Sequence, residues 1–124
     1  MVDAHSNFVE LSSKTFEDLA EKHDFLIISL GTDWCGPCRE FTTVFTDAAG
    51  EHRDVSFAIV DIDEDHELAD AFDVQAVPKI AVMCGGAMVF SHEGMLTDEA
   101  LENIIQQVRR LDVDSIRRTA AGQK

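Results

Sequence analysis

The sequence predicts an α/β fold: a central mixed β-sheet of four to five strands, with about four helices spread over both faces. Three observations carry this. Short, almost wholly apolar runs alternate with stretches of helical periodicity, the pattern of strands buried between helices. A Gly-Gly pair separates two β-prone runs late in the chain, which is the signature of a hairpin. The chain has 124 residues and is 45% hydrophobic, close to the commonest size for one domain and enough for one core without staples.

The elements follow in order. Phe16, Leu19, Ala20 and His23 fall at helical spacing after Ser12 and Ser13, which serve as candidate N-caps. Phe25 to Leu30 is a short apolar run ended by Gly31 and suits a strand covered on both faces. Cys38, Phe41, Val44, Phe45, Ala48 and Ala49 mark one face of a second helix. Pro37 stands near its start, where a missing N–H costs little, and Gly50 is its expected stop. Val55 to Ile62 reads as a second buried strand, and Asp65 to Phe72 as a short helix. Lys79 to Met83 and Ala87 to Phe90 form the hairpin around Cys84-Gly85-Gly86. Leu101, Ile104, Ile105, Val108 and Leu111 make a stripe at helical spacing, capped by Thr97 or Asp98. Phe8 to Leu11 is a candidate extra strand. Residues 1–111 are expected to form the domain, and residues 112–124 a tail, a frayed helical continuation or disordered.

The formal net charge is −14, from 24 acidic against 10 basic residues. Such a surface repels phosphate backbones, so nucleic acid and anionic membrane are not expected partners. No apolar run is long enough to span a bilayer. Met1 to Ser6 lacks the basic start and apolar run of a signal peptide, so a cytoplasmic protein is expected. There are three cysteines, an odd number that argues against a structural disulfide framework.

Trp34-Cys35-Gly36-Pro37-Cys38 lies where the first buried strand meets the second helix. A helix N-terminus offers unpaired N–H groups and the positive end of a dipole. Both stabilise a thiolate, the nucleophile in disulfide exchange. Cys35 opens the helix and is the expected attacking thiol. Cys38 lies one turn further in, on the buried stripe, and is the expected resolving thiol. Two intervening residues let the sulfurs reach bonding distance across one turn. Trp34 supplies a flat apolar surface beside them. Zinc usually takes four ligands from two such pairs, and no second pair exists, so no metal is expected. Cys84 reads as a passive residue beside the turn. The five histidines, His5, His23, His52, His66 and His92, show no ligand spacing and read as surface residues. Phe41, Phe45, Phe57, Phe72 and Phe90 read as core.

This segment resembles the active-site sequence of the thioredoxin family at every position from Trp34 to Cys38. Val77-Pro78, ending 40 residues after Cys38 and just before the hairpin, resembles the family's cis-proline segment. Gly94 matches a family glycine. The resemblance covers roughly residues 8 to 110 and implies the thioredoxin fold. It implies that Pro78 is cis and packs against Cys35 and Cys38. It also implies that Val77 offers backbone groups to a substrate strand, and that Trp34, Gly36, Pro37 and Gly94 complete the substrate-binding surface.

Four positions depart from the family pattern. Ser29 stands where a buried acid is usual, six residues before Cys35. Ile59 stands where its lysine partner is usual, Gly31 replaces an aromatic residue, and Lys79 replaces a threonine after the proline. Loss of the acid removes a candidate general base for Cys38. Losing both partners together avoids a buried unpaired charge.

The expected activity is reduction of protein disulfides: a protein-disulfide reductase with no cofactor. The resemblance implies disulfide-containing proteins and a thioredoxin reductase or similar electron donor as partners, and a monomer is expected. Two other readings are a disulfide oxidase or isomerase, and a thioredoxin-fold binding or assembly module with little turnover.

Overall fold

Strand β1 (Phe25–Gly31) runs through the middle of the molecule because both of its faces are apolar. The computed structural model describes residues 7–122. The readings of Met1 to Ser6, and of His5, therefore lie outside the described residues. The other elements are α1 (Phe16–Lys22), α2 (Gly36–Glu51), β2 (Ser56–Asp61), α3 (His66–Ala71), β3 (Lys79–Cys84), β4 (Ala87–Glu93), α4 (Asp98–Arg109) and α5 (Val113–Gly122). The sheet order is β2-β1-β3-β4. The β1–β2 pair is parallel, and the β1–β3 and β3–β4 pairs are antiparallel. This is the predicted mixed sheet, with four strands.

Alternation along β1 divides the core in two. Ile27 points with Phe57, Ile80 and Val82 toward Phe41, Phe45 and Ala49 of α2 and Leu101, Ile105 and Val108 of α4. Leu26, Ile28 and Leu30 point the other way, with Ala58, Val60, Ala81 and Met83, toward Ala20 of α1, Leu68 of α3 and Phe72. Each fully buried phenylalanine contributes about 2–3 kcal/mol of transfer free energy. Phe45 contributes further through edge-on contact with Phe57 at 5.2 Å between ring centres.

Several expectations need correction. The N-cap of α1 is Thr15, not Ser12 or Ser13, and its side chain caps nothing. Instead its Oγ1 accepts from the Ser12 backbone N–H. Gly50 does not stop α2, which continues to Glu51 and is capped by His52. Phe8 to Leu11 contributes a single bridge to Phe57, not a strand. Phe90 is 40% exposed, because β4 is the edge strand. Ile59 is also exposed, since β2 is the other edge. From Val113 the chain forms a helix of its own, α5, tied back by Arg117 to Asp24 at 2.7 Å. Thr97, one of the two expected caps of α4, accepts from the Ala100 N–H at 3.0 Å.

His52 is the largest surprise among the histidines, at 7% exposed. Its Nε2 lies 2.7 Å from Glu102 Oε1, and its Nδ1 lies 2.6 Å from Arg109 Nη2. Asn7 Nδ2 donates to the His52 carbonyl at 2.8 Å. His66 is exposed, while His23 and His92 are half-buried. Among the described residues, no helix is long and apolar enough to cross a membrane.

Candidate active site

The chain leaves β1 at Gly31 and enters α2 at Gly36. The four residues between them set the site. Cys35 is the N-cap of α2, in extended conformation, and its Sγ accepts the Cys38 backbone N–H at 3.1 Å. Pro37 sits in the first turn, as its missing N–H allows. Cys35 and Cys38 are joined in a disulfide, with Cα atoms 5.2 Å apart. The helix thus presents a backbone N–H and its positive end to the Cys35 sulfur. The two cysteines differ little in accessibility, at 8% and 6% exposed. Their difference lies in position: Cys35 heads the helix, whereas Cys38 faces back toward the sheet.

Gly31 explains that facing. A Cβ built there would stand 3.0 Å from Cys38 Sγ, a tight contact to which the sulfur would have to yield by a few tenths of an ångström. The missing aromatic side chain therefore leaves β1 close against the resolving sulfur. Ser29, two residues back on the same face, is buried between Ile59 of β2 and Ile80 of β3 in register. It offers Cys38 no titratable group. Thr32 is also buried, and its Oγ1 has no hydrogen-bond partner among the described residues.

The surface around the disulfide is open. Gly36 and Pro37 are exposed, and nothing lies within 4 Å of a Cβ built on Gly36. Trp34 is 72% exposed. Its indole does not float, because Nε1 donates to Asp63 Oδ2 at 2.7 Å. Asp63 in turn has its backbone N–H held by Asp61 Oδ1 at 2.9 Å. The sequence displays these acids as its densest acidic run, but nothing in it says that the run abuts the tryptophan.

The Val77–Pro78 peptide is cis, as expected. The register pairs Leu30 with Lys79, so one step further along the two strands stand Pro78 and Gly31, the residue whose Cβ position faces Cys38. Gly94, in a positive-φ conformation that favours glycine, donates its N–H to the Pro78 carbonyl at 2.8 Å. Pro78 is buried and Val77 half-buried. Among the described residues, neither Ala76 nor Val77 has a backbone hydrogen bond. All the expected site residues thus come to one end of the sheet. Lys79, which the sequence marks only as a departure, is buried there as well.

Cys84 lies at the opposite end of β3, fully buried. Burial pushes its thiol above the ordinary value, and the nearby Asp24 carboxylate adds to this. It is therefore a poor nucleophile. Glu51, His52 and Glu102 are close enough together to suggest a cation site. Their chemistry argues otherwise. Arginine can only donate, so Arg109 makes His52 Nδ1 the acceptor. The proton is then on Nε2, where it bonds Glu102, and no ring lone pair is left for a metal.

The thioredoxin family model matches residues 7–107. A thioredoxin-type protein of Streptomyces coelicolor is 34% identical over 116 residues, covering 94% of this chain and 87% of its own. Thioredoxin H3 of Arabidopsis thaliana is 34% identical over 101 residues, covering 76% and 86%. Among solved structures, a mutant thioredoxin from Halobacterium salinarum superposes with a TM-score of 0.78 at 26% identity, covering 90% of this chain and 98% of its own.

Proposed function

The chain belongs to the thioredoxin family and is a thiol–disulfide oxidoreductase, a protein-disulfide reductase by class; from this premise we propose how its residues divide the work. Cys35 is the nucleophile. Its thiolate attacks one sulfur of a substrate disulfide, forming a mixed disulfide and releasing the other substrate sulfur as a thiolate. The Cys38 thiolate then attacks Cys35 Sγ, releases the second substrate thiolate and closes the Cys35–Cys38 disulfide. Two electrons pass from the dithiol to the substrate, and two protons from solvent complete its thiols. The observation that carries this assignment is the Cys38 N–H bonded to Cys35 Sγ at the head of α2. That bond stabilises a negative charge on Cys35 and not on Cys38.

The substrate lies extended across Val77, pairing with backbone groups that have no partner among the described residues. Trp34, Gly36 and Pro37 form one bank of that surface, and Pro78 with Gly94 the other. The substrates are disulfide-containing proteins, and a thioredoxin reductase or similar donor restores the dithiol. The protein works as a monomer in the cytoplasm, since a reductant belongs in a compartment that keeps thiols reduced. Residues 1–111 form the exchanging unit and residues 112–124 an appended tail.

Trapping tests the order of attack. A Cys38→Ser variant is expected to hold a stable mixed disulfide with insulin through Cys35, while Cys35→Ser holds none and loses turnover by at least about a thousandfold. A mixed disulfide formed through Cys38 would reverse the two roles.

A further inference from the structure

Residues 72–78 link α3 to β3 and carry Val77-Pro78, yet they contain no helix or strand. Such a segment needs something else to fix it. Asp73 adopts a positive φ of 51° within it, a conformation that non-glycine residues rarely hold unaided. Among the described residues, the bonds that anchor this segment to β3 and β4 lead to two side chains and one glycine.

The first side chain is Lys79, the residue after the cis-proline. It is only 8% exposed. Its Nζ donates to the Phe72 carbonyl at 2.7 Å, reaches the Asp73 carbonyl at 3.4 Å, and stands 3.7 Å from Glu93 Oε2. An ammonium has three protons to give; here two carbonyls accept from it, and the Glu93 carboxylate completes its surroundings as an ion pair. A buried ammonium without such partners would be strongly disfavoured. The second side chain is Glu93, which faces Lys79 across the β3–β4 ladder. The same Oε2 accepts the Gln75 N–H at 2.8 Å. Next to it, Gly94 holds the Pro78 carbonyl. The bonds therefore fall at 72, 73, 75 and 78, and they stop short of Ala76 and Val77. The segment is tied on either side of the two residues whose backbone is left free.

We propose that Lys79 and Glu93 are positioning residues for disulfide exchange: together they hold Ala76 and Val77 as a fixed, unpaired strand edge beside Cys35–Cys38, onto which the backbone of a protein substrate docks. This rests on the reading of Val77 as the substrate's backbone partner. Neither side chain meets the reacting sulfurs. Their effect is confined to substrates long enough to lie along that edge. A small disulfide that meets only the sulfur of Cys35 does not need it.

Two disulfides of different size separate this from a general structural role. Lys79→Met keeps the bulk of the side chain and removes its donors. It is expected to lower kcat/KM for insulin at least tenfold, while the rate with 5,5′-dithiobis(2-nitrobenzoate) and the redox equilibrium of Cys35–Cys38 change by less than twofold. Lys79→Arg, which retains donors, is expected to recover part of the loss. Glu93→Ala leaves the core untouched and serves if Lys79→Met does not fold. It is expected to show the same split at about threefold, with faster amide exchange at Gln75. Equal losses on both disulfides, or wild-type rates on both, would overturn the clamp. If the wild-type chain reduces neither disulfide, the exchange reading itself falls, which is a different result from either.

Discussion

At the end of the sheet where β1 stops and β3 begins, backbone groups are left open, a tryptophan stands in solvent and a disulfide sits at a helix head. At the other end, side chains close nearly everything. Asn7 Nδ2 reaches the carbonyls of Ala49, His52 and Val55, all within 3.0 Å. Arg109 grips Asp54 with two bonds, at 2.7 and 2.9 Å, and holds His52 as well. Both ends contain buried cysteine. Cys38 follows a helix N-terminus and is bonded to Cys35, whereas Cys84 is buried at the end of β3 with its thiol pushed up. Reactivity here comes from where the sulfur is placed, since the side chain is the same. The closed end supplies rigidity, and the open end spends it on exchange.

Breaking the closed end gives the largest expected effect. Arg109→Met leaves His52 Nδ1 buried without a donor, a loss of about 1–3 kcal/mol. The Asp54 pair adds little because that carboxylate is largely exposed, at most about 1 kcal/mol. A fall in Tm of several degrees is expected by calorimetry, with the Cys35–Cys38 equilibrium unchanged, since α2 holds the two ends about 20 Å apart. The pH dependence has a definite sign. The hydrogen bond from Arg109 holds the Asp54 carboxyl below the usual range, and bonds from Gln106 and His52 do the same for Glu102. Groups lowered on folding stabilise above their unfolded pKa, near 4, and that stabilisation is lost as pH falls through the lower folded values. The gap between wild type and variant should therefore narrow below about pH 4. A gap that is constant from pH 7 to pH 2 would remove Asp54 from the account.

The contrast between the ends also governs what the sequence reveals. The open end is legible because its chemistry is local. Cys35 and Cys38 lie within one helical turn, and the run from Phe25 to Leu30 announces a strand with two covered faces. Val77-Pro78 and Gly94 are recognisable because they match a family pattern. Lys79, Asp63 and His52 are not legible. Each acquires its role from partners that the fold brings in: Asp63 from Trp34, 29 residues away, and His52 from Glu102, 50 residues away. Phe90 misleads for a related reason. Its strand signal is genuine, but periodicity does not reveal which strand forms the edge. The tail fades as a pattern because, among the described residues, α5 sends no side chain into either core cluster, and Arg117 ties it to Asp24 from outside.

A change in the open end should alter rate more than stability. Ser29→Asp returns an acid to the face beneath Cys38. Resolution of the mixed disulfide is expected to quicken several-fold near pH 7, measured by quenched-flow with a labelled disulfide peptide. The charge has only Ile59 and Ile80 in register beside it, so a stability loss of about 1–3 kcal/mol accompanies it. Adding Ile59→Lys should recover part of that loss. An unchanged resolution rate would mean that Cys38 loses its proton directly to water or to the departing thiolate.

Removing residues 112–124 tests the contrast at its weakest point. Arg117 binds the Glu21 carbonyl at 2.9 Å and Asp24 at 2.7 Å, bridging the start of β1. Its Cγ would lie 2.9 Å from a Cβ on Gly85, so the tail rests directly on the hairpin turn. Yet the ion pair is partly exposed on both sides, and such pairs contribute about 0–1 kcal/mol. The truncated chain should therefore fold, exchange disulfides within twofold of the full chain and melt only a few degrees lower. Cys84 is the sensitive reporter. In a Cys35→Ser/Cys38→Ser background, its labelling by iodoacetamide should quicken on truncation, because α5 covers the turn next to it. If labelling does not change, β1, β3 and β4 alone bury Cys84, and the closed end owes its closure to the sheet. If exchange collapses instead, the tail belongs to the exchanging unit, and the division at residue 111 is wrong.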